Sequence, residues 1–168
     1  MKHCIMLTLD PSTTDTGYAV FCNGNLIGYS DINISDVTDI NKRVNQMIVA
    51  IWDLFKRFKP NICIIEGLTV FNDIKTDSSL SDIIGAVKGF SLTTGCWYDK
   101  LFPSEWRKLI STDEEKIPMK RIDCKPWDIE KLKALLNINT DNDNIADAVL
   151  IGLAYINLFG NNSEAEPI

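Results

Sequence analysis

Cys4-Ile5-Met6-Leu7-Thr8-Leu9-Asp10-Pro11-Ser12-Thr13-Thr14-Asp15-Thr16-Gly17-Tyr18-Ala19-Val20-Phe21 decides how the rest of the chain is read. A short apolar run bounded by turn residues predicts a buried strand that ends at Asp10. Pro11 then removes a backbone donor and stops the ladder. Thr13 to Gly17 reads as a tight connection, and Tyr18 to Cys22 as a second strand running back. A carboxylate where a strand leaves a sheet is costly unless a cation or hydrogen bonds compensate it. Asp10 also has an ordinary alternative role, capping the Ser-Thr-Thr turn. This stretch alone leaves both roles open.

Working outward, Asn23-Gly24 is a two-residue hairpin signal, and Leu26 to Ile34 makes a third antiparallel strand. Ser35 or Asp36 is expected to cap a long amphipathic helix. Its apolar positions Val37, Ile40, Val44, Met47, Ile48, Ile51, Phe55 and Phe58 recur at helical spacing, with Asn41, Lys42, Arg43 and Asn45 facing out, and Pro60 ends it. Asn61-Ile62-Cys63-Ile64-Ile65-Glu66-Gly67 then predicts a strand buried on both faces and parallel to the first. Glu66 stands at its end as Asp10 does at the end of the first. If the two strands are neighbours, about 4.8 Å apart, their carboxylates converge. An exposed strand-end role for Glu66 is the alternative.

A polar loop over residues 72–79 leads to a helix from Ser79 to Thr93, with Gly85 and Gly89 four apart on one face. That spacing fits close packing onto the sheet or a dimer interface, and the sequence favours neither. A fifth strand over residues 96–102 is followed by a short helix opening at Pro103. Lys116 to Lys133 carries clustered base with interleaved acids, for which a solvated surface is the default and a phosphate track the alternative. A helix from Trp127 or Asp128 to Leu136 and a last one from Asp143 to Phe159 complete the chain. Asp143 and Asp147 share a face of that last helix. Ala146, Ala148, Val149, Leu150 and Ile151 crowd Asp147, so its charge needs a partner.

The 168 residues predict one domain over residues 1–160 and a frayed tail over 161–168. No apolar run reaches a membrane span and no signal peptide opens the chain. The five cysteines are odd in number and show no C-x-x-C pair, which fits a reducing cytoplasm and argues against a zinc ribbon. His3 is the only histidine, so Ser-His and Cys-His nucleophile systems are disfavoured. Any metal is expected to be held by oxygen, hence Mg²⁺ or Mn²⁺. The net charge of −6 speaks against a generic nucleic-acid coat protein but not against a nuclease, whose own site must be acidic. In a five-stranded α/β domain, acids at two strand ends and on a late apolar helix can meet over one patch of sheet. Clustered carboxylates repel, and two divalent ions are the usual remedy in phosphodiester cleavage.

Three segments together resemble the catalytic segments of RuvC-type Holliday-junction resolvases. They are Leu9-Asp10-Pro11-Ser12 through Thr16-Gly17-Tyr18-Ala19-Val20, then Ile64-Ile65-Glu66, then Ala146-Asp147-Ala148. Val87-Lys88-Gly89 and Pro103-Ser104-Glu105-Trp106-Arg107-Lys108 are similar to segments of the phage-encoded branch, whose members act in a host-cell cytoplasm. The resemblance implies an RNase H-like fold, Mg²⁺ or Mn²⁺ as a pair of ions, a homodimer, and paired nicks in four-way DNA junctions. It implies Asp10, Glu66 and Asp147 as catalytic metal ligands. The family's fourth ligand, an Asp or His three residues before the last Asp, falls here on Asn144, with Asp143 one residue earlier as the alternative. Lys88, Arg107, Lys108, Lys120 and Arg121 are the candidate DNA-binding residues. The opening segment also looks like the first phosphate loop of actin-like ATPases and sugar kinases, which need two such lobes where this chain holds one. A catalytically silent DNA- or protein-binding scaffold and a nuclease of structured RNA are the other readings.

Overall fold

The computed structural model describes residues 3–68 and 74–160. Five strands, β1 (Ile5–Asp10), β2 (Asp15–Cys22), β3 (Asn25–Asn33), β4 (Ile62–Glu66) and β5 (Trp97–Leu101), form one sheet in the order β3-β2-β1-β4-β5. The hairpin partners run antiparallel, while β1–β4 and β4–β5 are parallel. Five helices flank it: α1 (Ile40–Phe58), α2 (Ile74–Thr94), α3 (Pro103–Ile110), α4 (Arg121–Leu136) and α5 (Asp143–Gly160). This is the five-stranded mixed α/β sheet that the sequence predicts.

Strand parity divides the core in two. Leu7, Leu9, Cys63 and Ile65 point to the face covered by α1 and α2, where they meet Met47, Ile51, Phe55, Ile83 and Val87. Met6, Ala19, Phe21 and Ile64 point to the opposite face and pack with Trp106, Leu132, Val149 and Leu150. Thr8, also on this second face, donates its Oγ1–H to the Ala148 carbonyl at 2.6 Å and fastens β1 to α5. Asp10 shares the parity of Met6 and Thr8, and Glu66 that of Ile64. The partner pair Leu9–Ile65 sets Asp10 and Glu66 side by side at the ends of their strands. Both acids therefore face α5.

Several boundaries differ from expectation. β2 starts at Asp15, not Tyr18, because the preceding turn closes within residues 11–14. α1 is capped by Asp39, whose Oδ1 accepts from Lys42 N at 2.9 Å, and not by Ser35 or Asp36. Val37 thus lies before the helix. Arg43 is half-buried, not solvated, because its Nη1 donates to the Val37 and Thr38 carbonyls. Of the expected polar loop, residues 72–73 lie outside the described residues, and 74–79 are helical; no Gly or Pro interrupts them. Gly85 and Gly89 do not pack onto the sheet: both are exposed, and a Cβ at either meets nothing within 4 Å. α4 begins six residues before Trp127 and runs through Pro126. The carbonyl that Pro126 leaves unpaired belongs to exposed Ile122, where water can meet it. Lys131 is buried and bonded to Glu115, an exception to the solvated reading of the basic segment. The expected tail, 161–168, lies outside the described residues. Among these, no helix is long and apolar enough to cross a membrane.

Candidate active site

The turn that follows Asp10 is held by its own hydroxyls. Ser12 N donates to Thr16 Oγ1 at 2.9 Å, and Thr14 N and Asp15 N donate to Ser12 Oγ. Ser12 and Thr16 thus satisfy these three amides of the turn. The Asp10 side chain is buried at the end of β1, facing α5.

Gly17 lets α5 reach that position. A Cβ there would lie 1.9 Å from the Asn144 carbonyl oxygen, so only glycine admits the first turn of α5 against β2. Asn144 Nδ2 donates to the Asp15 carbonyl at 2.9 Å, and Asn142 Oδ1 accepts from Asn144 N, which pins the same turn. One helical turn on, Asp147 enters the site and is 8% exposed. Burial pushes its carboxyl well above the ordinary carboxylate range, and the charges of Asp10, Asp128 and Glu66 push it further. Asp147 Oδ1 is buried and has no hydrogen-bond partner.

Glu66 is held from α3. Trp106, in the core, donates its indole Nε1–H to Glu66 Oε1 at 3.0 Å. Burial raises the Glu66 carboxyl, while this bond, Arg107 and a hydrogen bond with Asp10 act against the rise. The next residue, Arg107, grips Asp128 of α4 with two prongs, Nε to Oδ1 at 2.9 Å and Nη2 to Oδ2 at 2.7 Å. Burial pulls the guanidinium down, but the bonds and charge of Asp128 outweigh it and hold Arg107 firmly cationic. Arg107 Nη2 also lies 3.8 Å from Asp147 Oδ2. Asp143 is paired with Lys125. These elements border an open cleft of about 520 Å³ into which Asp10, Glu66, Asp143, Asn144 and Asp147 all project.

Asp10, Glu66 and Asp147, the three acids singled out in the sequence, thus lie together, and both fourth-ligand candidates border the same cleft. Asn144 already uses its amide on β2, and Asp143 its carboxylate on Lys125. Arg107, a candidate DNA-binding residue, lines the cleft with its side chain 11% exposed and its fork bound to Asp128. Lys88, Lys108 and Lys120 are exposed and do not line the cleft. The side chain of Arg121 lies outside what is described. Asp128 and Trp106 are site residues that sequence reasoning missed. For Asp128 the signal was present: like Asp147, it is a carboxylate hemmed by apolar neighbours, Trp127, Ile129 and Leu132.

The donor class suits Mg²⁺ or Mn²⁺, and the unpartnered Asp147 Oδ1 is a buried oxygen that such an ion would satisfy. Among the described residues, no three carboxylates, thiols or imidazoles already converge tightly enough to cage an ion. The fit therefore rests on donor chemistry and on that orphaned oxygen.

The sequence matches no protein-family model and no curated protein. Solved structures do match. RuvC from Thermus thermophilus, solved in complex with a Holliday junction substrate, superposes with a TM-score of 0.72 at 16% identity, covering 99% of this chain and 100% of that one. The chain has the RuvC-type, RNase H-like fold. The Fowlpox virus resolvase, solved with Holliday junction DNA, gives 0.63 at 18% identity over 92% of this chain and 98% of that one. The yeast mitochondrial Holliday junction resolvase Ydc2 gives 0.70 at 12% identity over 95% and 80%. The RuvC-type likeness spans nearly the whole described sheet and its helices.

Proposed function

We propose that this protein is a metal-dependent endonuclease that nicks four-way DNA junctions. The observation that carries the reading is Asp147, buried on α5 against Asp10 and Glu66 at adjacent parallel strand ends, with one carboxylate oxygen unpartnered. A scaffold without catalytic work would gain stability by replacing such a cluster with apolar residues. The RuvC-type fold supports the same reading, since neighbours of this fold were solved on Holliday junctions.

Asp10, Glu66 and Asp147 would hold two Mg²⁺ or Mn²⁺ ions, with Asp143 or Asn144 as the fourth donor. Bound there, the ions would supply an activated water and a clamp on the leaving oxygen. The chain's own part is to orient the donors. Trp106 aims Glu66, the Thr8–Ala148 bond and the Gly17 contact set the height of Asp147, and Arg107 offsets part of the acidic charge. Two copies related by a two-fold axis would present two sites for paired cuts. The exposed α2 face bearing Gly85, Gly89 and Leu92 is the proposed contact.

The test is cleavage of labelled four-way junction, flap, duplex and structured RNA, with chelator and with Mg²⁺ or Mn²⁺. Junction nicking that needs the metal and is lost in Asp147→Asn, with binding retained, is the expected result. Cleavage of structured RNA alone, or none of any substrate, would sink the proposal.

A further inference from the structure

A buried ion pair adds little to stability on its own, so the position of the Arg107–Asp128 pair is more telling than its existence. Asp128 is 0% exposed and both of its oxygens are taken by Arg107. The guanidinium stacks over the Trp106 ring, 4.2 Å from its centre, so it has two walls and little freedom. Its Nη2 is the one atom shared between two acids, at 2.7 Å from Asp128 and 3.8 Å from Asp147. Asp147, the less favoured of the two, is also the acid with an unpartnered oxygen. A guanidinium forms its strongest contacts as a fork, and Asp128 offers the matching geometry.

We propose that Asp128 is a positioning residue that holds the Arg107 guanidinium back from Asp147, which keeps Asp147 open to a divalent cation. This rests on the metal-site reading above. Arg107 then has two opposed effects. It offsets repulsion among Asp10, Glu66 and Asp147, and it competes with any cation for Asp147. Asp128 sets the balance by fixing how far the guanidinium reaches. A pair that merely props α3 against α4 makes no such distinction.

The experiment is calorimetric titration of Mn²⁺ into the full chain and its variants, without DNA. Asp128→Asn frees Arg107 to turn toward Asp147 and should weaken Mn²⁺ binding by about tenfold, whereas Arg107→Gln removes the competing cation and should strengthen it by a similar factor. Arg107→Lys keeps the charge but not the fork, so it should weaken binding as Asp128→Asn does. It also carries the test should Arg107→Gln fail to fold. A prop predicts the reverse order, with Lys milder than Gln and all variants shifted the same way, and that outcome overturns the inference while leaving the metal site standing. A wild-type chain that takes up no Mn²⁺ would instead overturn the metal reading itself, and this inference with it.

Discussion

Trp106 donates its indole N–H to Glu66 across 3.0 Å, so a residue of the core aims a carboxylate of the site. The same ring fills the space between the sheet and α5. The core and the candidate site are therefore joined at one side chain.

Trp106→Phe keeps most of the apolar volume and deletes the donor. The lost bond to a charged acceptor, with some loss of packing, should cost about 2–3 kcal/mol in urea unfolding. Junction cleavage should fall by more than that loss explains, because Glu66 becomes free to turn. Unaltered cleavage in a destabilised variant would show that Glu66 is aimed by something else.

The fold and half of the site were legible because they obey local rules. Alternation along β1 and β4 places Asp10 and Glu66 on one face, and the parallel crossover makes them neighbours. Asp147 stood out by its apolar surroundings. The Arg107–Asp128 pair was not legible, because its members lie 21 residues apart and meet only when α3 and α4 dock. For the same reason Lys131 read as surface until Glu115 came to it. The start of α1 was misplaced because Ser35, Asp36 and Asp39 are all competent caps, and only the course of β3 decides among them.

Gly17→Ala should be among the most damaging small substitutions. Its Cβ would fall 1.9 Å from the Asn144 carbonyl, a backbone atom that moves only if the start of α5 moves. A loss of more than about 3 kcal/mol is expected, with the metal response lost as Asp147 shifts. Gly89→Ala is the contrast: with open space around its Cβ, it should gain about 0.5–1 kcal/mol from helix propensity. If a second copy covers α2 as proposed above, the bulkier Gly89→Leu should instead give a smaller sedimenting species, and an unchanged species would remove Gly89 from that contact.

Junction affinity should fall steeply with salt despite the acidic chain, through exposed Lys108 and Lys120. Each Lys→Ala change should flatten the plot of log affinity against log salt by about one unit if it removes a phosphate contact. Lys131→Ala should lower stability and leave that slope alone, since its amine serves Glu115. Flattening by Lys131→Ala, with no change from the other two, would reverse these assignments.

The raised carboxyl of Asp147 fixes the sign of the metal-free pH response. Burial comes first among its causes, followed by the charges of Asp10, Asp128 and Glu66, with Arg107 opposing. Its folded pKa lies well above the ordinary 3.8, so in the window above 3.8 the folded chain binds more protons than the unfolded one. The contribution of Asp147 is thus most favourable below 3.8, declines as pH rises toward its folded value, and stays flat beyond. Glu66 and Asp128, also raised, act in the same sense. In chelator, Tm should therefore fall between mildly acidic and neutral pH, and Asp147→Asn should flatten much of that fall while raising Tm at neutral pH. Adding Mg²⁺ should restore the wild type most at neutral pH, where its carboxylates are ionised, and hardly affect the variant. A wild-type Tm that climbs with pH in chelator, matched by Asp147→Asn, would mean that Asp147 is comfortably paired and that the acids do not form a strained cluster.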